Sequence, residues 1–138
     1  MSNLTVSAGI ENILKTLGYS PSEQATSYEN ASINEYENTF ILHSPSGEQD
    51  EAGRDLDNGF YDTQTWKIMF AFSKSAQNDR VNLGEIHAAK DAIIKSIDNP
   101  ANWMSFARFL KYKSWTLEET PSYYLLTVTL SVTDTYTY

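Results

Sequence analysis

The side chains able to do acid–base or metal chemistry are few. The chain has two histidines, His43 and His87, and no cysteine. Without a thiol there is no disulfide, no thiolate metal site and no cysteine nucleophile, and either redox compartment is tolerated. Glu85-Ile-His87 sets its polar side chains two residues apart, on different faces of a helix, whereas ligating pairs stack at i, i+3 or i, i+4. A surface or interface histidine is the plainer reading. Asp55-Leu-Asp-Asn-Gly59 followed by Asp62 looks like the start of a calcium loop. An EF-hand, however, needs glycine at its sixth position and glutamate at its twelfth, where this chain has Phe60 and Trp66. The acids there read as a solvated loop, with loose binding of a divalent cation as the alternative. Glu118 and Glu119 fall in a turn, where solvation explains them better than a raised pKa does. No Gly-rich phosphate loop, G-x-S-x-G elbow or zinc spacing is present. The expectation is a protein with no catalytic residues, no metal and no cofactor, not an enzyme.

Charge is the second signal. From Glu48 to Asp62 the chain holds six acids (Glu48, Asp50, Glu51, Asp55, Asp57, Asp62) and one base, Arg54, a net −5 of the total −8. Residues 106–115 hold Arg108, Lys111 and Lys113 and no acid. Three cations interleaved with Tyr112 and Trp115 make a weak nucleic-acid footprint on an acidic chain, because such affinity comes from neutralising phosphates. Lysines on an edge strand often serve only to prevent aggregation. A third reading fits better: the acidic segment of one subunit meets the basic edge of the next. Unlike surfaces of this kind give head-to-tail contacts that close into rings.

The elements that must position these groups follow from periodicity. Val6, Ile10, Ile13, Leu14 and Leu17, with Gly18 after them, predict a helix over 5–17. A polar extended connection follows at 19–37. Thr39 to His43 reads as a strand ended by Pro45-Ser-Gly47, and residues 45–62 as a long acidic loop. Loops beyond about 12–15 residues in a compact domain are usually functional or disordered. Thr65 to Phe72 alternates as a half-buried strand. Asn82 with Glu85 has capping-box spacing and starts a helix whose apolar face is Leu83, Ile86, Ile93, Ile94 and Ile97, stopped at Asp98-Asn-Pro100. After a linker at 101–104, Phe106 to Trp115 reads as an edge strand. A turn at 118–122 leads into the last strand, Tyr123 to Thr133, which puts Tyr124, Leu126, Val128, Leu130 and Val132 on one face and Thr127, Thr129, Ser131 and Thr133 on the other.

The 138 residues, 41% hydrophobic, fit one α+β domain: an antiparallel four-stranded sheet with two helices packed on one face. No basic, apolar leader and no run approaching the ~18 apolar residues of a membrane span is found, so the expectation is a soluble protein made in a cytoplasm, with no membrane partner.

This element order resembles a known family. The long loop between the first strands, the Phe70-Ala-Phe72 strand end before a polar turn and the helix from Asn82 to Ile97, and the closing Leu126-Thr-Val-Thr-Leu-Ser-Val132 strand look like the tail terminator or tail-completion (neck) proteins of tailed bacteriophages. The resemblance spans roughly Val6 to Thr133. It implies a structural virion protein made in the host cytoplasm, forming a hexameric ring that caps the tail tube, ends tube polymerisation and docks on the head connector or stopper protein. DNA passes through such a ring without specific binding. It also implies that Glu48 to Asp62 contacts neighbouring subunits or lines the channel. The alternatives are another neck or head-completion subunit, or a free-standing α+β ligand-binding domain with Trp66, Phe70, Phe106 and Tyr124 around an apolar pocket.

Overall fold

A computed structural model describes residues 3–22, 27–29, 31, 33–55, 58–74 and 79–138. The elements run α1 (Asn3–Thr16), β1 (Ser20–Pro21), α2 (Ile33–Tyr36), β2 (Thr39–Asp55), β3 (Gly59–Ser73), α3 (Asp79–Asp98), α4 (Pro100–Trp103), β4 (Phe109–Glu119) and β5 (Tyr123–Thr137). The class is α+β, as the sequence predicts. The sheet is not the predicted antiparallel four-stranded one: it has five strands in the order β1-β2-β3-β5-β4, and the two-residue β1 joins β2 in parallel. The other pairings are antiparallel.

One sheet face carries the main core. Phe40 and Leu42 of β2, Trp66, Ile68 and Phe70 of β3, Leu110 of β4 and the alternating Leu126 to Val132 of β5 meet Val6, Ile10, Ile13 and Leu14 of α1 and Ile93 and Ile97 of α3. The apolar stripes of both long helices are thus buried against one sheet face, which is what their 3.6-residue periodicity requires. Gly18 ends α1 in the left-handed region, at φ 97°. Its N–H donates to the Lys15 carbonyl at 3.0 Å, while that of Tyr19 donates to Leu14 at 3.1 Å. This is the Schellman pattern that glycine makes strain-free.

Several boundaries differ from the sequence reading, each for a local reason. The predicted loop at 45–62 is mostly strand. Pro45 and Gly47 do not end β2; a register shift between His43 and Ser46 absorbs Pro45, and pairing with β3 resumes from Ser46↔Thr65 to Asp50↔Tyr61 and again at Asp55↔Gly59. A bulge is one of the places where a sheet tolerates proline. Helix α3 begins at Asp79, before Asn82. Asn82 is buried and donates its side-chain N–H to the Ser73 carbonyl at 3.3 Å, tying the helix to β3.

The predicted linker at 101–104 contains α4, capped by Asn99, whose side chain accepts from the Ala101 N–H at 3.1 Å, with Pro100 in the first turn where its missing donor costs nothing. Phe106 and Ala107 therefore join the core, and strand β4 starts only at Phe109. The connection at 19–37 is more than an extended tether. Tyr28 and Tyr36 from it cover Ile41 and Ala71 on the other sheet face, so a third layer lies over one end of the sheet.

Candidate assembly surface

Beyond Met69 and Leu125, at the far edge of the tyrosine layer, the second sheet face is open among the described residues. Its central positions are Thr127, Thr129, Ser131, Thr133 and Thr135 of β5, all half-buried. They are paired on one side with Met69, Lys67, Thr65, Thr63 and Tyr61 of β3. On the other side Thr116, Ser114, Lys111 and Phe109 of β4 oppose Thr127, Thr129, Ser131 and Thr133. The alternation that buries Leu126 to Val132 on the core side necessarily places this row of hydroxyls opposite.

The predicted acidic residues that are described do not form a loop; they lie along the β2–β3 ribbon. Glu48 is exposed on the open face opposite Thr63, and the backbone of Asp50 pairs with Tyr61. Asp62 is on the core-side face, opposite Gln49 and Asp134. Glu51, Arg54 and Asp55 are placed in β2 by their backbone, and Asp57 lies outside the described residues. The cluster is therefore divided between two faces.

The core-side half of the ribbon holds residues the sequence reading missed. Gln64 is fully buried; its amide donates to Asp62 Oδ2 at 3.0 Å, and its carbonyl oxygen accepts from Trp66 Nε1 at 2.8 Å. Asp134 is also fully buried, with Oδ1 accepting the Thr135 N–H at 2.8 Å. Burial, followed by the nearby Asp62 and Asp134 charges, raises the pKa of Tyr136, against the opposing effect of its hydrogen bond with Gln64. Extending the β3 alternation back past Thr65 would have found Gln64 and Asp62 on the core side. Among the described residues no group of three or more His, Cys, Asp or Glu is placed to hold a metal ion.

Gly59 lets the ribbon close. Its φ is 151°, and a Cβ there would collide with the backbone carbonyl of Tyr136. Next to it the rings of Phe60 and Tyr136 stack at 5.2 Å. Gly59→Ala is expected to cost roughly 1–2 kcal/mol in urea unfolding and to raise amide exchange at 59–62 and 134–137 selectively. Uniform exchange along both strands would show that the close approach is not needed.

The predicted basic edge is an edge: β4 is the last strand of the sheet. Its cations are not equivalent. Arg108, just before β4, stacks its guanidinium over the Tyr61 ring at 4.2 Å, a cation–π contact reaching across β5. Lys111 is exposed on the open face opposite Ser131. Lys113 is the extra residue at the register shift between Tyr112 and Ser114. The Tyr112 N–H donates to Asp98 Oδ1 at 2.9 Å. A bulge and a capped donor are two of the devices that stop an edge from adding a foreign strand.

The two histidines are not brought together. His43 is half-buried on the open face opposite Lys67, and His87 is exposed on α3, edge-on to Trp115 at 5.8 Å. Trp66, Phe70, Phe106 and Tyr124 are all buried at 6% exposure or less, and of the four Phe106 borders a surface concavity, between α1 and α4. One concavity is a cleft of about 150 Å³ bordered by Tyr19, Glu37, Asn82 and Glu85. No helix among the described residues is long and apolar enough to cross a membrane. Compared with known proteins, the sequence matches no family model, and no curated protein matches it significantly.

Proposed function

We propose that this chain is a structural subunit that assembles into a ring, and that the ring caps a phage tail tube, ends tube polymerisation and joins the tail to the head connector. The observation that carries the reading is the charge of the sheet's two long margins. The β2 side bears the acidic ribbon, net −5 from Glu48 to Asp62, and the β4 side bears Arg108, Lys111 and Lys113. The acidic side of one copy is complementary to the basic side of another, and a heterologous contact repeated by rotation closes into a ring. Acidic residues facing a central channel would also keep DNA from sticking, since like charge repels the phosphates. The role is scaffolding, with no catalysis.

The same arrangement suits a different neck or head-completion subunit. The ligand-binding alternative loses its main support, because the aromatics invoked for its pocket are core residues.

The test is mass by light scattering after size exclusion across a range of protein concentrations, with negative-stain images. Rings of about six copies are expected, alone or on added tail tubes. Reversing Arg108, Lys111 and Lys113 to Glu is expected to abolish them while leaving the circular dichroism of the monomer unchanged. Unaltered rings in that variant would reject the contact between the acidic ribbon and these cations. Absence of rings both in solution and on tubes would reject the terminator reading.

A further inference from the structure

We propose that the hydroxyl strip between Lys67 and Lys111 on the open sheet face is the seat for the acidic β2–β3 ribbon of a second copy. This inference rests on the ring reading and deepens it by naming the two surfaces that meet. Lys67 lies opposite Thr129 and Lys111 opposite Ser131, so the two cations flank β5 on the same face. Two strand spacings across and two residues along, their backbones stand roughly 12 Å apart, room for one two-stranded ribbon between the side chains.

Both lysines are exposed, and among the described residues neither has an ion-pair partner. Their charge is thus available to another molecule. Between them the facing positions of β3, β5 and β4 are Thr, Ser and Lys, with no acid from Thr65 to Lys67, Thr127 to Thr133 or Lys111 to Thr116. On a chain of net charge −8, this is a local reversal of sign. The complementary feature is on the same molecule. Glu48 is exposed on the ribbon's open face, opposite Thr63, and can meet a lysine.

The face is favoured over the edge as the meeting point. The basic stretch of β4 has its Tyr112 donor taken by Asp98 and its Lys113 in a bulge, so a partner strand cannot extend the sheet there. The other end of the face is already covered by Tyr28 and Tyr36, which leaves the strip as the open part. A contact of this kind is made by side-chain charge and hydroxyl hydrogen bonds, and it weakens as salt rises.

The absence of cysteine makes the test clean. A Glu48→Cys chain is mixed with a Thr129→Cys chain under mild oxidation, and formation of the mixed disulfide dimer is timed on non-reducing gels. A second mixture replaces Thr129→Cys with Ala92→Cys, at an exposed site on α3. The Thr129→Cys mixture is expected to link at least tenfold faster than the Ala92→Cys control. Adding Lys67→Glu and Lys111→Glu to the Thr129→Cys chain, or raising salt to 0.5 M, is expected to remove that advantage.

Equal rates in the two mixtures would overturn the seat. If wild-type rings form nonetheless, only the contact surface is wrong; if neither rings nor selective linking occur, both readings fail. Selective linking without rings supports the seat and rejects the ring. A single-stranded oligonucleotide that binds wild type but not the Lys67→Glu, Lys111→Glu variant, with linking at the control rate, would assign the strip to nucleic acid and overturn the proposal.

Discussion

Phe70→Ala is expected to lower the unfolding free energy by about 3–5 kcal/mol. Phe70 sits in β3, flanked by β2 and β5, with its side chain fully buried on the helix side of the sheet. It lies opposite Leu126 and meets the ring of Tyr19 edge-on at 5.1 Å. Strands on both sides and helices above hold the surroundings in place, so little collapse into the void is possible and the cavity cost adds to the lost transfer energy. With domain stabilities of about 5–15 kcal/mol, this is at least about a fifth of the total and, at the low end of that range, most of it. Urea unfolding followed by circular dichroism checks it, with a lower midpoint and an unchanged slope expected. Thr129→Ala, on the open face, serves as the control and should change stability by less than about 0.5 kcal/mol. Equal losses at the two sites would mean that the sheet is not one-sided as described.

The contrast between these sites was legible from periodicity alone. The β5 alternation named every buried residue from Tyr124 to Val132, and Val6, Ile10, Ile13 and Leu14 identified the buried stripe of α1. The acidic ribbon was misread because Pro45, Gly47 and Gly53 are loop residues by local chemistry. What holds this stretch as strand is non-local, the pairing of β2 with β3 as far as Gly59. Tyr28 and Tyr36 were lost inside a polar tract because two isolated aromatics carry no period; they become a layer only where the chain folds back on Ile41 and Ala71.

The candidate surface was half visible. Acid and base runs are local in sequence, but Lys67 and Lys111 are 44 residues apart and become neighbours only through their common partner β5. That juxtaposition depends on β5 being inserted between β3 and β4, a topological fact with no signature in any single window. It also explains why the basic edge, read as one unit, separates into a stacked Arg108, a face-bound Lys111 and a bulged Lys113.

The tyrosine layer makes stability depend on alkaline pH. Burial pushes the Tyr28 phenol up to about 12, opposed by hydrogen bonds with Thr39 and Ser22. Tyr19 and Tyr36 are raised as well, first by burial, and Tyr36 further by Glu37 and Tyr123. In the unfolded chain a tyrosine loses its proton near pH 10, so between about 10 and 12 the unfolded state binds fewer protons than the native one, and stability falls as pH rises. The contribution of Tyr28 is whole below pH 10 and is lost on approaching pH 12, a change of about 2–3 kcal/mol.

Tyr28→Phe isolates this effect. The ring keeps its place over the sheet, but the 2.9 Å bond to Thr39 Oγ1 is gone, costing about 1 kcal/mol at pH 8. Thr39 still donates to the Tyr36 carbonyl at 2.8 Å, so its hydroxyl keeps a partner. Urea midpoints measured from pH 8 to 12 should therefore show wild type more stable at pH 8 and a flatter decline for the variant, with the gap closing or reversing near pH 12. Parallel declines would mean that the Tyr28 phenol is ionised as easily in the native state as in the unfolded chain, and that the layer of Tyr28 and Tyr36 does not shield it from water.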